Sequence, residues 1–232
     1  MKKILLSVVF CAFALAQELS VAAAANISYP LEDIKNAFLK HYPDVKIQVN
    51  TGSSGTFNSQ IKNGAKFDIF LSANSDFAKD LEGLTKNKAS IYTQGLLMLF
   101  APNKKASLND LKNAKCIAVA NPKSAPYGAA AIEVLKKLNF DYTKSVIYAS
   151  SIANTLSQTL SACEYGFIAA SSKKQLLKMG YKDENMLIVD EKLYTPILQS
   201  MIVISDNKSA KDFYDFILSK EAKAIFKEYG YK

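Results

Sequence analysis

The chain has 232 residues, of which 49% are hydrophobic and 22% charged, an ordinary balance for one large globular domain or two small ones. Its formal net charge is +8, and every basic residue is a lysine because the sequence contains no arginine. Arginine is the side chain best suited to gripping phosphates and bases with two hydrogen bonds. The composition therefore argues against nucleic-acid recognition, and the scattered lysines are expected to form solvated faces.

Residues 1–16 have the pattern of a secretory signal peptide. A two-lysine start is followed by the apolar run "ILLSVVFCAFALA", which ends in an "ALA" cleavage site before Gln17. The run is shorter than the roughly 20 residues that span a bilayer, which disfavours a membrane anchor. A lipoprotein signal at Cys11 is disfavoured because bulky Phe10 precedes it. We expect export, cleavage and a soluble periplasmic protein.

Strands and helices alternate along the first part of the remaining chain. The strands are "LSVAAAA", "VKIQV" and "FDIFLSA", and the helices are "PLEDIKNAFLKHY", "FNSQIKNG" and "SDFAKDLEGL". This order is typical of a parallel sheet covered by helices on both faces.

Two long extended runs, "YTQGLLMLFAPNK" and "YTPILQSMIVIS", enclose a second alternation of strands and helices, and "SAKDFYDFILSKEAKAIFKEYG" closes the chain as two amphipathic helices. We therefore predict an α/β fold with two lobes, each a mostly parallel sheet flanked by helices. Two crossing strands would join them. Lobe I would comprise residues 17–94 plus 198–232, and lobe II residues 95–197.

Two cysteines follow the predicted signal peptide. Cys116 opens the strand "CIAVA" and Cys163 lies just before the strand "YGFIAA". If these strands are parallel neighbours, both cysteines lie at the same sheet edge, and an exported chain meets an oxidising compartment. A disulfide and a pair of buried free thiols both fit. His41 is the single histidine and is expected on the surface, so no metal site is predicted.

Small and hydroxyl residues follow five predicted strands, in residues 25–28, 51–56, 72–75, 121–128 and 150–152. In parallel α/β sheets, ligands bind at these carboxyl ends. Each turn alone is explained as a helix cap, but together they expose first-turn N–H groups of several helices, which favour an anion. Lys123 is the one charged residue among them, so we expect neutral dipoles to hold the anion.

Catalysis is poorly supported, and we predict that the protein is not an enzyme. "GSSGT" does not match the G-x-S-x-G nucleophile elbow, and no phosphate-binding G-x-x-x-x-G-K-[ST] loop occurs. A secreted serine hydrolase using Ser54 remains the remote alternative, although His41, its one candidate histidine base, is a whole strand away.

Five segments resemble the periplasmic molybdate-binding proteins that deliver this oxyanion to an ABC importer. They are "AAAANISYPLEDI", "TGSSGTFNSQIKNGAKFDIFLSAN", "NPKSAPYGAAAIEVLKKL", "YGFIAAS" and "FYDFILSKEAKAIFKEYG". The second and third are the most specific. The resemblance implies a type II periplasmic binding protein fold, one tetrahedral dianion (molybdate, and tungstate) in the interlobe cleft, and a membrane permease as partner. We expect a monomer with no cofactor besides the bound anion.

The resemblance also implies the first-lobe site residues. Ser54, with Ser53 beside it, would supply a hydroxyl and a backbone amide. Asn26 stands where many family members have serine, and its side-chain amide would donate. Ala73 would offer its backbone N–H.

In the second lobe, the resemblance implies a backbone N–H from Tyr127 and a contact at either Ile152 or Ser151. Some family members donate a tyrosine hydroxyl from the strand "YGFIAA", but that position is Ala169 here. The hydroxyl of Tyr127 is the expected replacement.

A shell of donors alone would select among anions. Hydrogen phosphate carries a proton that needs a buried acceptor, and leaving it unpaired costs about 1–3 kcal/mol. Sulfate carries no such proton and would have to be excluded by cavity size. The alternative to a molybdate-binding protein, within the class of binding proteins, is one that binds sulfate or phosphate.

Overall fold

The computed structural model describes residues 17–232, and the predicted signal peptide lies outside the described residues. The first alternation comprises β1 (Gln17–Ala24), α1 (Ser28–His41), β2 (Val45–Gly52), α2 (Ser54–Lys62), β3 (Ile69–Ser72), α3 (Ser75–Lys79) and β4 (Ser90–Gly95). A 3₁₀ helix, Ala25–Ile27, leads into α1. Helix α2 begins three residues before the predicted Phe57, because the carbonyl of Ser53 already accepts from the Phe57 N–H at 3.2 Å.

The second alternation comprises β5 (Leu97–Phe100), β6 (Ile117–Ala120), α4 (Pro126–Lys137), β7 (Val146–Ala149), α5 (Ile152–Ser161), β8 (Tyr165–Ala169), α6 (Lys173–Lys178) and β9 (Met186–Ile188). The chain then forms β10 (Ile197–Val203), α7 (Lys208–Ile217) and α8 (Lys220–Glu228). The two closing helices confirm the amphipathic pair predicted from the sequence. Phe213 and Phe226 are buried in the core, as their spacing indicates.

The strands form two five-stranded sheets, ordered β2-β1-β3-β10-β4 and β7-β6-β8-β5-β9. In each sheet one strand, β10 or β5, runs against its neighbours, and the other pairs are parallel. Each lobe is thus a mostly parallel sheet, as predicted. The chain passes from the first sheet to the second between Gly95 and Leu97 and returns at Ile197. We call these two crossings the hinge.

Both faces of the first sheet are covered, because alternate side chains of its strands enter separate hydrophobic clusters. Val21 packs with residues of α1, α7 and α8, while its neighbour Ala22 packs with Phe57 and Phe70 on the other face. The core of the second lobe also takes in Ala25 and Ala73, which belong to the first lobe. The ends of β1 and β3 are therefore packed against the second lobe.

Cys116 and Cys163 are joined by a disulfide with their Cα atoms 4.8 Å apart. Strands β6 and β8 are parallel neighbours, so both cysteines lie at the same sheet edge. The bond closes a loop with a sequence separation of 47 residues, for which chain entropy predicts about 4 kcal/mol of stabilisation.

We expect reduction of the Cys116–Cys163 disulfide to lower the free energy of unfolding by about 4 kcal/mol in urea titrations. The Cys116→Ser, Cys163→Ser double variant should show the same loss and no further response to reductant. Equal stability with and without reductant would contradict the prediction.

Candidate functional site

The carboxyl ends of β1, β2, β3, β6 and β7 converge on one small cavity between the lobes. Its lining contains no acidic or basic side chain: Ala24, Ala25, Asn26, Gly52, Ser53, Ser54, Ala73, Ala125, Pro126, Tyr127 and Ile152. The space inside it that the centre of a water-sized probe can reach is about 10 Å³, far less than the roughly 300–1,000 Å³ of pockets that hold drug-sized ligands. Two larger grooves flank it, one lined in part by residues 55–56 and 123–124 and the other by residues 74–76 and 126. Two further grooves lie away from these strand ends. The interlobe cavity is therefore suited to a small inorganic ion.

Six of the seven predicted site residues line this cavity: Asn26, Ser53, Ser54, Ala73, Tyr127 and Ile152. The seventh, Ser151, is the N-cap of α5, where its Oγ accepts from the Asn154 N–H at 3.2 Å. The simple capping explanation therefore applies to Ser151. Of the two alternatives left open by the sequence, Ile152 is the residue that the structure places at the cavity.

Helices α2 and α4 begin at the cavity from opposite lobes, and neither has a side-chain cap. The N-cap of α4 is Ala125, which has no polar side chain, and Pro126 follows it in the first turn. The N-cap of α2 is Ser53, whose Oγ hydrogen-bonds Thr56 Oγ1 at 2.6 Å instead of a backbone N–H. Because first-turn N–H groups have no partner within their helix, the two ends provide neutral dipoles that favour negative charge.

Ser54 is buried at the first residue of α2, with 1% of its surface exposed. Its Oγ accepts a hydrogen bond from the backbone N–H of Ala73 at 2.9 Å. This contact uses a lone pair of the hydroxyl and leaves its hydrogen available to donate. It also differs from the expectation for Ala73, because that N–H donates to Ser54 and not to the cavity.

The side-chain amide of Asn26 is committed to protein partners. Its Nδ2 donates to Gln199 Oε1 at 2.8 Å and to the Tyr231 hydroxyl at 2.9 Å. Its Oδ1 is buried and has no hydrogen-bond partner among residues 17–232. The predicted donor role of this side chain is therefore corrected: both amide hydrogens are engaged, and the unpaired group is an acceptor.

The Tyr127 hydroxyl lies 3.4 Å from Asn26 Nδ2. It also lies beside Gly95, the last residue of β4. A Cβ added to Gly95 would come within 2.0 Å of this hydroxyl, so only glycine leaves room for the ring. Burial raises the pKa of Tyr127 well above its usual value, and the neighbouring Tyr231 adds to the shift. The phenol is consequently protonated at neutral pH. Ala169 is buried at the end of β8, where it pairs with Leu97. That the Tyr127 hydroxyl replaces the one missing at Ala169 stays a prediction.

Three polar residues beside Asn26 were not identified from the sequence. Gln199 is fully buried on β10, and the hydroxyls of Ser171 and Tyr231 donate to the Asn26 carbonyl oxygen at 2.6 and 2.8 Å. Gln199 could have been noticed in the sequence, because it is an amide side chain within the otherwise apolar run "PILQSMIVIS". Tyr231 had no local signal, because it lies 205 residues from Asn26 along the chain.

The lobes are in direct contact at the mouth of the cavity. The Gly55 N–H in α2 donates to the carbonyl oxygen of Ser124 in the second lobe at 2.8 Å. A Cβ at Gly55 would lie 2.8 Å from the Ser124 Cα, a distance that real Cβ atoms do not show. The two backbones therefore meet closely at this point, and the structure is of the closed arrangement.

No catalytic arrangement surrounds Ser54 within residues 17–232. His41 is exposed on α1 and pairs with Glu221 at 2.9 Å, as expected for a surface histidine. The same residues contain no group of three or more histidine, cysteine, aspartate or glutamate side chains placed to hold a metal. Nor does any described helix have the length and apolar character needed to cross a membrane.

Known proteins with similar sequences and structures are named as molybdate-binding proteins or as an ABC transporter substrate-binding protein. The molybdate-binding protein of Azotobacter vinelandii is 36% identical over 236 residues, covering 93% of this chain and 90% of that protein. A putative ABC transporter substrate-binding lipoprotein of Bacillus subtilis is 32% identical, covering 92% and 85%. The solved structure of the Azotobacter vinelandii periplasmic molybdate-binding protein matches with a TM-score of 0.82 at 26% identity, covering 92% and 98%. The family model for bacterial extracellular solute-binding proteins matches residues 19–232, and the chain belongs to this family.

Proposed function

We propose that this protein captures molybdate, and also tungstate, in the interlobe cavity and delivers it to the permease of an ABC importer. The observation that carries the proposal is the uncharged cavity where the Ser54 hydroxyl and the uncapped starts of α2 and α4 meet. Helix N-termini bind tetrahedral oxyanions through N–H groups and dipoles. The names of the similar proteins support the same anion. Capture and release need no catalytic step and no cofactor.

The proposed site of action is the periplasm, reached by export and cleavage of residues 1–16. Two observations support this proposal: the pattern of residues 1–16 and the family of bacterial extracellular solute-binding proteins to which the chain belongs. The protein would act there as a monomer, closing its lobes around the anion and presenting the closed surface to the permease.

Hydrogen phosphate is a second candidate ligand, favoured by one specific observation. The buried Oδ1 of Asn26 has no partner among the described residues, and an amide oxygen is an acceptor that the proton of hydrogen phosphate needs. Molybdate, tungstate and sulfate carry no such proton at neutral pH. A preference for phosphate would therefore identify Asn26 as the residue that selects the anion.

Thermal unfolding of residues 17–232 with molybdate, tungstate, sulfate or phosphate tests the proposed function. An anion at 100 times its Kd stabilises the folded state by about 2.7 kcal/mol, or about 5–10 °C for a chain of this length. We expect this shift with molybdate and tungstate and little with sulfate or phosphate. A shift with phosphate alone would favour the second candidate, and no shift with molybdate or tungstate would contradict the proposal.

A further inference from the structure

Tyr231, which follows α8, lies directly behind Asn26. Its ring is buried and packs edge-on against Phe226, with 5.4 Å between the ring centroids. Its hydroxyl donates to the Asn26 carbonyl oxygen at 2.8 Å and accepts from Nδ2 of the same residue at 2.9 Å. One hydroxyl thus bridges the main chain and the side chain of Asn26, and it fixes the rotation of that side chain.

The hydroxyl is suited to this double role at neutral pH. Burial raises the pKa of Tyr231 to about 12, so the group remains protonated and can donate while it accepts. The Asn26 carbonyl oxygen takes a second hydrogen bond, at 2.6 Å, from the Ser171 hydroxyl of the second lobe. The carbonyl oxygen of Asn26 is therefore held from both lobes, with Tyr231 donating from the first and Ser171 from the second.

Residues 231–232 are also attached to the strands that connect the lobes. The backbones of Lys232 and Gln94 exchange two hydrogen bonds of 3.0 Å each, at the end of β4 where the chain leaves the first sheet. The Lys232 side chain pairs with Glu191, which lies just before the return to β10. The other carboxylate oxygen of Glu191 accepts from Gln94 Nε2 at 2.6 Å. Main-chain bonds at the hinge thereby set the position of Tyr231.

From this geometry we infer that Tyr231 is a positioning residue of the anion site, which couples the orientation of Asn26 to the hinge. The inference rests on the proposed function for its effect on binding. Without the hydroxyl, Asn26 Nδ2 keeps Gln199 as a partner but loses the bridge to its own carbonyl. The side chain can then rotate, and the first turn after β1 is held less firmly. The expected consequence is faster release of the anion.

The test compares Tyr231→Phe with Tyr229→Phe in the protein comprising residues 17–232. Both variants lose one phenol hydroxyl near the end of α8, but the Tyr229 hydroxyl donates to Asp33 at 2.7 Å, away from the cavity. Calorimetry and stopped-flow measurements would give the molybdate Kd and release rate. We expect Tyr231→Phe to raise both about tenfold, the effect of one hydrogen bond, and Tyr229→Phe to leave both unchanged.

A second measurement needs no ligand and separates this inference from the proposed function. In nuclear magnetic resonance spectra of the free protein, Tyr231→Phe should speed hydrogen exchange of the Asn26 side-chain amide, and Tyr229→Phe should not. If the unmodified protein fails to bind molybdate or tungstate, the proposed function fails, while this exchange difference still supports the positioning role. Equal exchange at Asn26 in both variants, or an unchanged molybdate Kd in Tyr231→Phe, would overturn the inference.

Discussion

Replacing Gly55 with alanine is expected to weaken anion binding while leaving the ligand-free protein at least as stable as before. The added Cβ would lie 2.8 Å from the Ser124 Cα of the second lobe, so the closed arrangement requires a shift of backbone. The Cβ would also lie 3.0 Å from the outer end of the Phe77 ring in the first lobe, a contact that a side-chain movement relieves. Overpacking of this kind costs about 1–3 kcal/mol, and losing the Gly55–Ser124 hydrogen bond about 0.5–1.5 kcal/mol more. The Kd should therefore rise by roughly ten- to a thousandfold.

Gly55→Ala should weaken binding without lowering the stability of the ligand-free protein, and this combination makes the prediction specific. Gly55 is the second residue of α2, where alanine is favoured over glycine by at most about 1 kcal/mol, the value for a helix interior. Isothermal titration with molybdate and urea unfolding without ligand measure the two effects separately. Gly83→Ala is the matched control, because a Cβ there meets nothing within 4 Å. Unchanged affinity in Gly55→Ala would show that binding does not require the close approach of the lobes seen here.

Replacing Ser54 with alanine should remove one donor to the anion and one acceptor within the protein. A hydrogen bond to a charged group contributes about 1.5–3 kcal/mol, so we expect the Kd to rise by about ten- to a hundredfold. The Ala73 N–H also loses its 2.9 Å partner, which should lower the free energy of unfolding by about 1–3 kcal/mol.

The control for Ser54→Ala is Ser59→Ala, which removes an exposed hydroxyl from the same helix and should change neither quantity. Titration calorimetry measures the affinity and urea unfolding the stability. If Ser54→Ala lost stability but bound molybdate as the unmodified protein does, the Ser54 hydroxyl would serve only to pair Ala73. The anion would then be held by other groups of the cavity.

Much of the fold was predictable because its signals are local. Hydrophobic spacing identified the strands and helices, and their alternation predicted two mostly parallel sheets, since consecutive parallel strands need a crossover. Element ends were less accurate: α2 begins three residues before the predicted Phe57. Side chains and close contacts near each helix start decide these ends, and hydrophobic spacing does not report them.

The residues around the cavity were predictable for a related reason. In a parallel sheet the carboxyl end of every strand lies at the same edge, so short turns separated in sequence are brought together whenever the strands are identified correctly. Asn26, Ser54 and Tyr127 follow from this rule and from their resemblance to a known family. The chemistry of each group at the cavity did not follow from it.

The roles of individual atoms depend on contacts between distant parts of the chain. The Asn26 amide is turned by Gln199 and Tyr231, which lie 173 and 205 residues away. The Ala73 N–H donates to Ser54, 19 residues earlier. A sequence pattern states which residue types follow a strand, and this was enough to predict the edge at which the cavity lies. Which hydrogen bonds those residues leave free is decided only when the two lobes and residues 231–232 pack together, because each partner competes for the same few donors and acceptors.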